Sequence, residues 1–103
     1  MSTLVMTRAK VDPQLAEQMA KAEPNPFAQL ASTSHEGLIR HRVFAGDGEL
    51  VVIDEWERPE DYEAWRASPP VAEMFSKMMG EANMTDELQV LYARELDLGD
   101  KVG

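Results

Sequence analysis

Residues Leu50 to Met79, LVVIDEWERPEDYEAWRASPPVAEMFSKMM, run from a short apolar strand straight into a helix that is broken in the middle. Leu50 to Ile53 reads as buried strand, followed by the acidic pair Asp54-Glu55 and Trp56. Pro59 marks a helix start, because proline at the first helical position gives up a hydrogen bond that position never makes. Ser68-Pro69-Pro70 interrupts this helix, and Pro70 restarts one carrying Val71, Met74, Phe75, Met78 and Met79. Those five follow i, i+3, i+4, i+7, i+8 spacing, an apolar stripe that faces a sheet. A buried strand feeding a two-part amphipathic helix limits the architecture to helices returning over a sheet. Two tryptophans, Trp56 and Trp65, stand at the ends of the first part.

The remaining chain supplies the rest of that sheet. Thr3 to Val11 alternates, with Leu4, Met6 and Arg8 on one side and Val5, Thr7 and Ala9 on the other, as a strand does. Asp12-Pro13 opens a helix whose stripe is Leu15, Met19 and Ala22. Pro24-Asn25-Pro26 interrupts it, since each proline removes a donor and restricts its predecessor. Asn25 and Pro26 then start a short helix, Phe27 to Ser32. Ser34 to Gly37 leads out, Gly37 suiting a positive φ. Leu38 to Phe44 alternates again, with Ile39, His41 and Val43 opposite Leu38, Arg40, Arg42 and Phe44. A turn at Ala45 to Gly48 joins it to Glu49 to Glu57, which makes a hairpin. Gly80 to Asp86 leads to a last strand, Glu87 to Leu96.

The order is β-α-β-β-α-β with both helices interrupted. This is an α+β, ferredoxin-like arrangement: an antiparallel sheet with the helices on one face. The chain, residues 1–103, is expected to be a single domain with its core at about 3–96 and a polar tail at 97–103. Val51, Ile53 and Leu91 fall on the other face, and no segment remains to cover it. A second copy of the sheet is the expected cover, which makes a homodimer.

Composition excludes several functions. There is no cysteine, so disulfides, thiolate metal sites and cysteine nucleophiles are absent. Two histidines, His35 and His41, make a poor metal site, and no metal is expected. The net charge of −9 repels a phosphate backbone, so no nucleic-acid partner is expected. No apolar stretch approaches the ~20 residues of a membrane span, and the opening MSTLVMTRAK lacks a signal-peptide core. The expected setting is cytoplasmic, with no membrane partner.

Each candidate residue has a structural reading beside a functional one. Trp56 and Trp65 anchor helices to the sheet or wall a pocket. Tyr62 is a half-exposed helix residue or a pocket hydrogen-bond donor. His41 is a hydrogen-bonded sheet residue or an acid/base, its ordinary pKa of ~6.5 suiting proton transfer near neutrality. His35, beside Glu36, reads as a solvated loop residue. Arg40 and Arg42 share a strand face, where they pair with acids or a partner, or stabilise an oxyanion. Asp54 shares a side with Val52 and Trp56 and needs a partner, which Arg40 or Arg42 could supply. Tyr92 and Arg94 form a polar pair on the last strand. Met74, Met78 and Met79 are core, or an adaptable pocket wall.

The Asp54-Glu55-Trp56 strand end, Trp65 in the following helix, the Ser68-Pro69 step and the strand GLIRHRVF together resemble the antibiotic biosynthesis monooxygenase family of the dimeric α/β-barrel superfamily. The resemblance spans roughly Thr3 to Leu96. It implies a homodimer whose open sheet faces close into a barrel, with a pocket between sheet and helices in each subunit. Several members oxidise electron-rich polycyclic phenols to quinones with O₂ and no metal, flavin or haem. A haem-degrading branch of the superfamily uses an axial His about ten positions after the helix Trp, and an Asn on the first strand. Here Phe75 stands at the first position, and Thr7 and Arg8 replace the Asn.

The resulting expectation is a cofactor-independent monooxygenase acting on an aromatic or polyketide-like small molecule. His41, Arg40 and Tyr62 would manage charge and protons. Trp56, Trp65, Phe75, Asp54, Met74 and Met78 would hold the substrate. Two other readings stay open: a non-catalytic dimeric barrel that binds a small ligand, and a haem-binding or haem-degrading homologue, which Phe75 opposes.

Overall fold

The computed structural model of the chain describes residues 2–33, 36–82, 84 and 88–103. The elements follow the order β1 (Thr3–Ala9), α1 (Pro13–Ala20), α2 (Pro26–Ala31), β2 (Leu38–Ala45), β3 (Leu50–Trp56), α3 (Pro59–Ala67), α4 (Pro69–Glu81) and β4 (Gln89–Ala93). The strands form one sheet in the order β2-β3-β1-β4, with every neighbouring pair antiparallel. This is the ferredoxin-like arrangement, with each of its two helices divided. The readings of Ser34 and His35, and of residues 85–87 at the lead into the last strand, lie outside the described residues.

Local chemistry accounts for the breaks. The Asp12 carboxylate caps α1 by accepting from the Gln14 N–H at 3.0 Å. Asn25 caps α2 by accepting from the N–H groups of Phe27 and Ala28. Both helices have proline in the first turn, where its missing N–H costs nothing. α1 ends at Ala20, so Ala22 falls past the helix and outside the stripe assigned to it. Ser68 closes α3 and opens α4. Its extended backbone turns the chain, and its hydroxyl donates to the Trp65 carbonyl at 2.8 Å. The second helical part starts at Pro69, one residue earlier than the Pro70 expected, because the first of two prolines takes the N-terminal position.

Cross-strand pairing decides what each face carries. Val5 pairs with Asp54, Thr7 with Val52 and Ala9 with Leu50, and these residues face the helices. Trp56 is 1% exposed and packs with Val5 and Tyr62, with Leu38 and Trp65 against them. A second core patch joins Ala9, Val11, Ala16 and Leu50. The opposite face carries Leu4, Met6, Val51, Ile53 and Leu91, and no described helix lies over it. Phe44 and Leu91 are 50% and 59% exposed.

Strand β2 departs from the simple alternation read in its sequence. Leu38 pairs with Trp56 and Arg40 with Glu55, so Ile39 is an extra residue between them. Such a bulge shifts the side-chain phase by one. Leu38 therefore joins His41 and Val43 on the helix-facing side, although strict alternation put it opposite them. Gly37, with φ +86°, starts the strand, and its carbonyl accepts from the Glu57 N–H at 2.7 Å. Arg94 lies beyond the end of β4, so it does not share that strand with Tyr92.

Candidate active site

The sheet carries small side chains beneath the helices: Thr7, Ala9, Val43 and Val52. They leave space that larger residues would fill, and a cavity of about 130 Å³ lies between sheet and helices. Aromatic and sulfur-bearing side chains wall it on the helix side, among them Phe27, Trp65, Phe75, Met78 and Met79. Few polar groups reach it. Thr7, His41, Asp54 and Tyr62 are the lining residues among the described ones that combine a hydroxyl, carboxylate or imidazole with this location.

His41 and Asp54 are directly opposite on β2 and β3. The His41 Nδ1 lies 2.5 Å from the Asp54 Oδ1. An ionised carboxylate only accepts, so Nδ1 carries the hydrogen and Nε2 of the neutral ring keeps a free lone pair. The Asp54 side chain is 11% exposed, whereas that of His41 keeps 38% of its surface. The hydrogen bond donated to Asp54 holds the imidazole pKa above its ordinary value, opposed by partial burial and reinforced by the carboxylate charge. Arg42 lowers it.

Asp54 thus takes its partner from His41, in place of the Arg40 or Arg42 expected. The reason is parity: His41 shares the helix-facing side, and both arginines pair with residues of the opposite side, Glu55 and Ile53. Arg40, expected to manage charge, is exposed on the other face of the sheet and absent from the cavity lining. Met74 is half-buried but also outside the lining, while Met79 joins Met78 in it. Both tryptophans, Tyr62 and Phe75 reach the lining together with His41 and Asp54.

The aromatic residues form one connected group. Tyr62 lies edge-on to Trp56 at 5.9 Å and to Tyr92 at 6.0 Å between ring centroids. Trp65 stands 5.6 Å from Trp56, and Phe75 meets it edge-on at 5.8 Å. The Arg66 guanidinium sits over the Phe75 ring at 3.9 Å. Burial pushes the Tyr62 phenol above the ordinary tyrosine range, so it remains a neutral donor. Thr7 acts in the opposite direction, drawing that pKa slightly back down.

Sequence reasoning missed Thr33. Its hydroxyl donates to the Leu30 carbonyl at 2.6 Å and accepts from the Trp65 Nε1 at 3.0 Å. The end of α2 thereby fixes the orientation of a cavity-wall tryptophan on α3. Nothing in the local pattern at Thr33 signals a partner 32 residues away. Thr7 had a faint signal, as a hydroxyl placed between Val5 and Ala9 on one strand side. The Trp56 Nε1, by contrast, is buried with no hydrogen-bond partner among the described residues.

The model of the antibiotic biosynthesis monooxygenase family matches residues 3–77. No curated protein sequence matches the chain. Among solved structures, a conserved protein from Methanosarcina mazei Go1 superimposes with a TM-score of 0.71 at 18% identity, over 93% of this chain and 94% of that one. SnoaB from Streptomyces nogalater, a cofactor-independent oxygenase, gives 0.65 at 19% identity, over 94% of this chain and 97% of its own. At these identities the likeness is one of fold. No described helix is long and apolar enough to cross a membrane.

Proposed function

The chain belongs to the antibiotic biosynthesis monooxygenase family, and on that footing we propose that it is a cofactor-independent oxygenase of small aromatic phenols. The observation that carries this reading is the His41–Asp54 pair set in the wall of a cavity otherwise almost entirely apolar. Nε2 of His41 accepts the phenolic proton, and the phenolate is then held among Trp56, Trp65 and Phe75, largely out of water. A desolvated, electron-rich phenolate can pass an electron to O₂ itself, so the protein's task is positioning, deprotonation and exclusion of solvent. Tyr62, kept neutral by burial, donates a hydrogen bond to a substrate oxygen. In the overall change one oxygen atom enters the ring to give a quinone and the other leaves as water.

Size narrows the substrate. An apolar cavity of about 150 Å³ holds benzene, and this one measures about 130 Å³. One ring fits as the cavity stands. A second requires the unbranched Met78 and Met79 side chains to give way, which methionine does readily. α-Naphthol is therefore the better probe, and anthrone, with three rings, the poorer. The test is oxygen consumption with each, corrected for the uncatalysed rate, together with ¹⁸O incorporation from labelled O₂. Protein-dependent incorporation that disappears in His41→Gln supports the reading. Tight binding of naphthol with no turnover above the blank would leave a ligand-binding barrel instead. Haem ligation in the manner of the haem-degrading branch has no support here, since Phe75 offers no ligating atom.

The open sheet face is part of the same proposal. Phe44, Val51, Ile53 and Leu91 lie on it with Met6, and a face of that character is an association surface. A second copy meeting it face to face makes the homodimer typical of the family.

A further inference from the structure

The ring contacts of the cavity wall continue out of the cavity. Trp65 lines it, and its indole stands 6.1 Å from the Tyr62 ring and 5.6 Å from Trp56, which is itself 5.9 Å from Tyr62. Tyr62 in turn meets Tyr92 at 6.0 Å, and Tyr92 is 46% exposed. Tyr92 is absent from the cavity lining and pairs with Val5 on the helix-facing side of β4, across the sheet from the open face. Four rings in contact thus run from the cavity to water. Indoles and phenols give up single electrons readily, and electron tunnelling is fastest between rings that touch.

Proton chemistry gives the row a direction. An indole or phenol that loses an electron becomes strongly acidic, and the loss lasts only where the proton can leave. The Trp56 Nε1 is buried with no hydrogen-bond partner among the described residues. The Trp65 Nε1 donates to the Thr33 hydroxyl, a poor base. Tyr62 is buried, and Tyr92 is the most exposed of the four. Water at Tyr92 takes the proton, so an oxidised ring is trapped there.

We propose that these rings carry oxidising equivalents from the cavity to the surface: an electron passes from Tyr92 through Tyr62 to Trp65 or Trp56, and on to an oxidant in the cavity. The inference goes beyond the proposed function. It shares with that reading a cavity that admits a two-ring aromatic, and uses neither His41 nor O₂. The oxidant class is an oxygen-centred radical, such as incomplete oxidation of a phenol leaves behind. The oxidant gains one electron, Tyr92 loses one, and the phenolic proton of Tyr92 goes to water. A thiol or ascorbate in solution then returns an electron, and water a proton, to the tyrosyl radical. Without this path the oxidising equivalent stays beside Met78, Met79 and the indoles, which it damages.

The test places α-naphthoquinone in the intact protein under nitrogen, with binding measured by equilibrium dialysis, and excites it with a laser flash. The excited quinone is the oxidant, and the chain has no cysteine to add to it. Transient absorption should show the tryptophanyl band giving way to a tyrosyl band, and Tyr62 and Tyr92 are the only tyrosines in the sequence. Tyr92→Phe should abolish the tyrosyl band and prolong the tryptophanyl one. Tyr62→Phe, which keeps Tyr92 but breaks the row, should do the same. Far-UV circular dichroism checks that each variant folds. A tyrosyl band that persists in either variant overturns the proposal. Should Tyr62→Phe not fold, the rise of the band in the wild type decides. A rate that grows with protein concentration marks oxidation from solution and overturns the proposal, whereas a constant rate supports it. A tryptophanyl band that decays with no tyrosyl band following it overturns the proposal and leaves the rings as packing. Failure of the quinone to bind overturns it together with the two-ring substrate class. Electron transfer to the quinone without oxygen uptake from α-naphthol supports it while the oxygenase falls.

Discussion

The imidazole of His41 and the carboxylate of Asp54 meet across β2 and β3, Nδ1 to Oδ1 at 2.5 Å, on the wall of an apolar cavity. The contact orients the ring, sets its tautomer and raises its affinity for a proton. It is also the point where the protein's chemistry and its stability depend oppositely on pH.

A base must be unprotonated to act. Oxidation of naphthol should therefore rise with pH through the raised His41 pKa, and Asp54→Asn should move that rise to lower pH. Stability runs the other way, because the folded pKa lies above the unfolded one. The pair's contribution is complete below about pH 6.5, the unfolded value, and is lost as pH rises through the folded value. Titration of the imidazole protons by NMR, with His41→Gln for assignment, measures the shift directly. A His41 that titrates at or below the ordinary value removes the basis for both statements.

The Trp65 indole donates from Nε1 to the Thr33 hydroxyl at 3.0 Å. Thr33→Val keeps the shape and deletes the acceptor, leaving a part-buried indole N–H without its partner. The expected cost is about 1 kcal/mol in urea denaturation. Trp65 fluorescence should change as the ring loosens, and naphthol affinity should fall with it. A denaturation midpoint and emission spectrum matching those of the wild type would show that ring packing alone orients the tryptophan.

Gly37 combines a left-handed φ of +86° with a close neighbour. A methyl group placed there would meet the Asp61 side chain, with its Cγ at 2.7 Å. Gly37→Ala should cost at least about 1–2 kcal/mol from backbone conformation alone, before any clash. Thermal unfolding of Gly37→Ala beside Gly48→Ala separates the two effects, since Gly48 also has positive φ but nothing within 4 Å. Equal losses would mean that the Asp61 contact is easily relieved.

Leu91 and Ile53 occupy the centre of the uncovered sheet face, both in register with Met6. Leu91→Glu should convert the inferred dimer to monomer, read by sedimentation velocity or light scattering. The wild type sedimenting as a monomer at tens of micromolar would end the dimer proposal without touching the cavity chemistry.

Much of the fold was legible because the signals are local. Asp12-Pro13 and Asn25-Pro26 start helices through groups two or three residues away, and Ser68-Pro69 divides one from the next by the same means. The cavity was legible only in part. Trp56, Trp65, Phe75 and His41 could be singled out as residue types suited to a pocket. The partner of Asp54 could not, since strict alternation allows several neighbours and only the pairing of β2 with β3 selects one. The extra residue at Ile39 shows the limit of period-two reasoning: one bulge reverses the assignment of Leu38 while leaving His41 where alternation put it.

Local signals in the chain specify the order of strands and helices, where their breaks fall to within a residue, and the family it belongs to. Turn chemistry, capping and hydrophobic period act within a few residues and leave their mark in the text. Tertiary structure alone decided that Arg40 faces away from the cavity, that His41 meets Asp54 and that Thr33 holds Trp65. Those outcomes depend on strand register and helix placement, which arise from the packing of residues far apart in the chain.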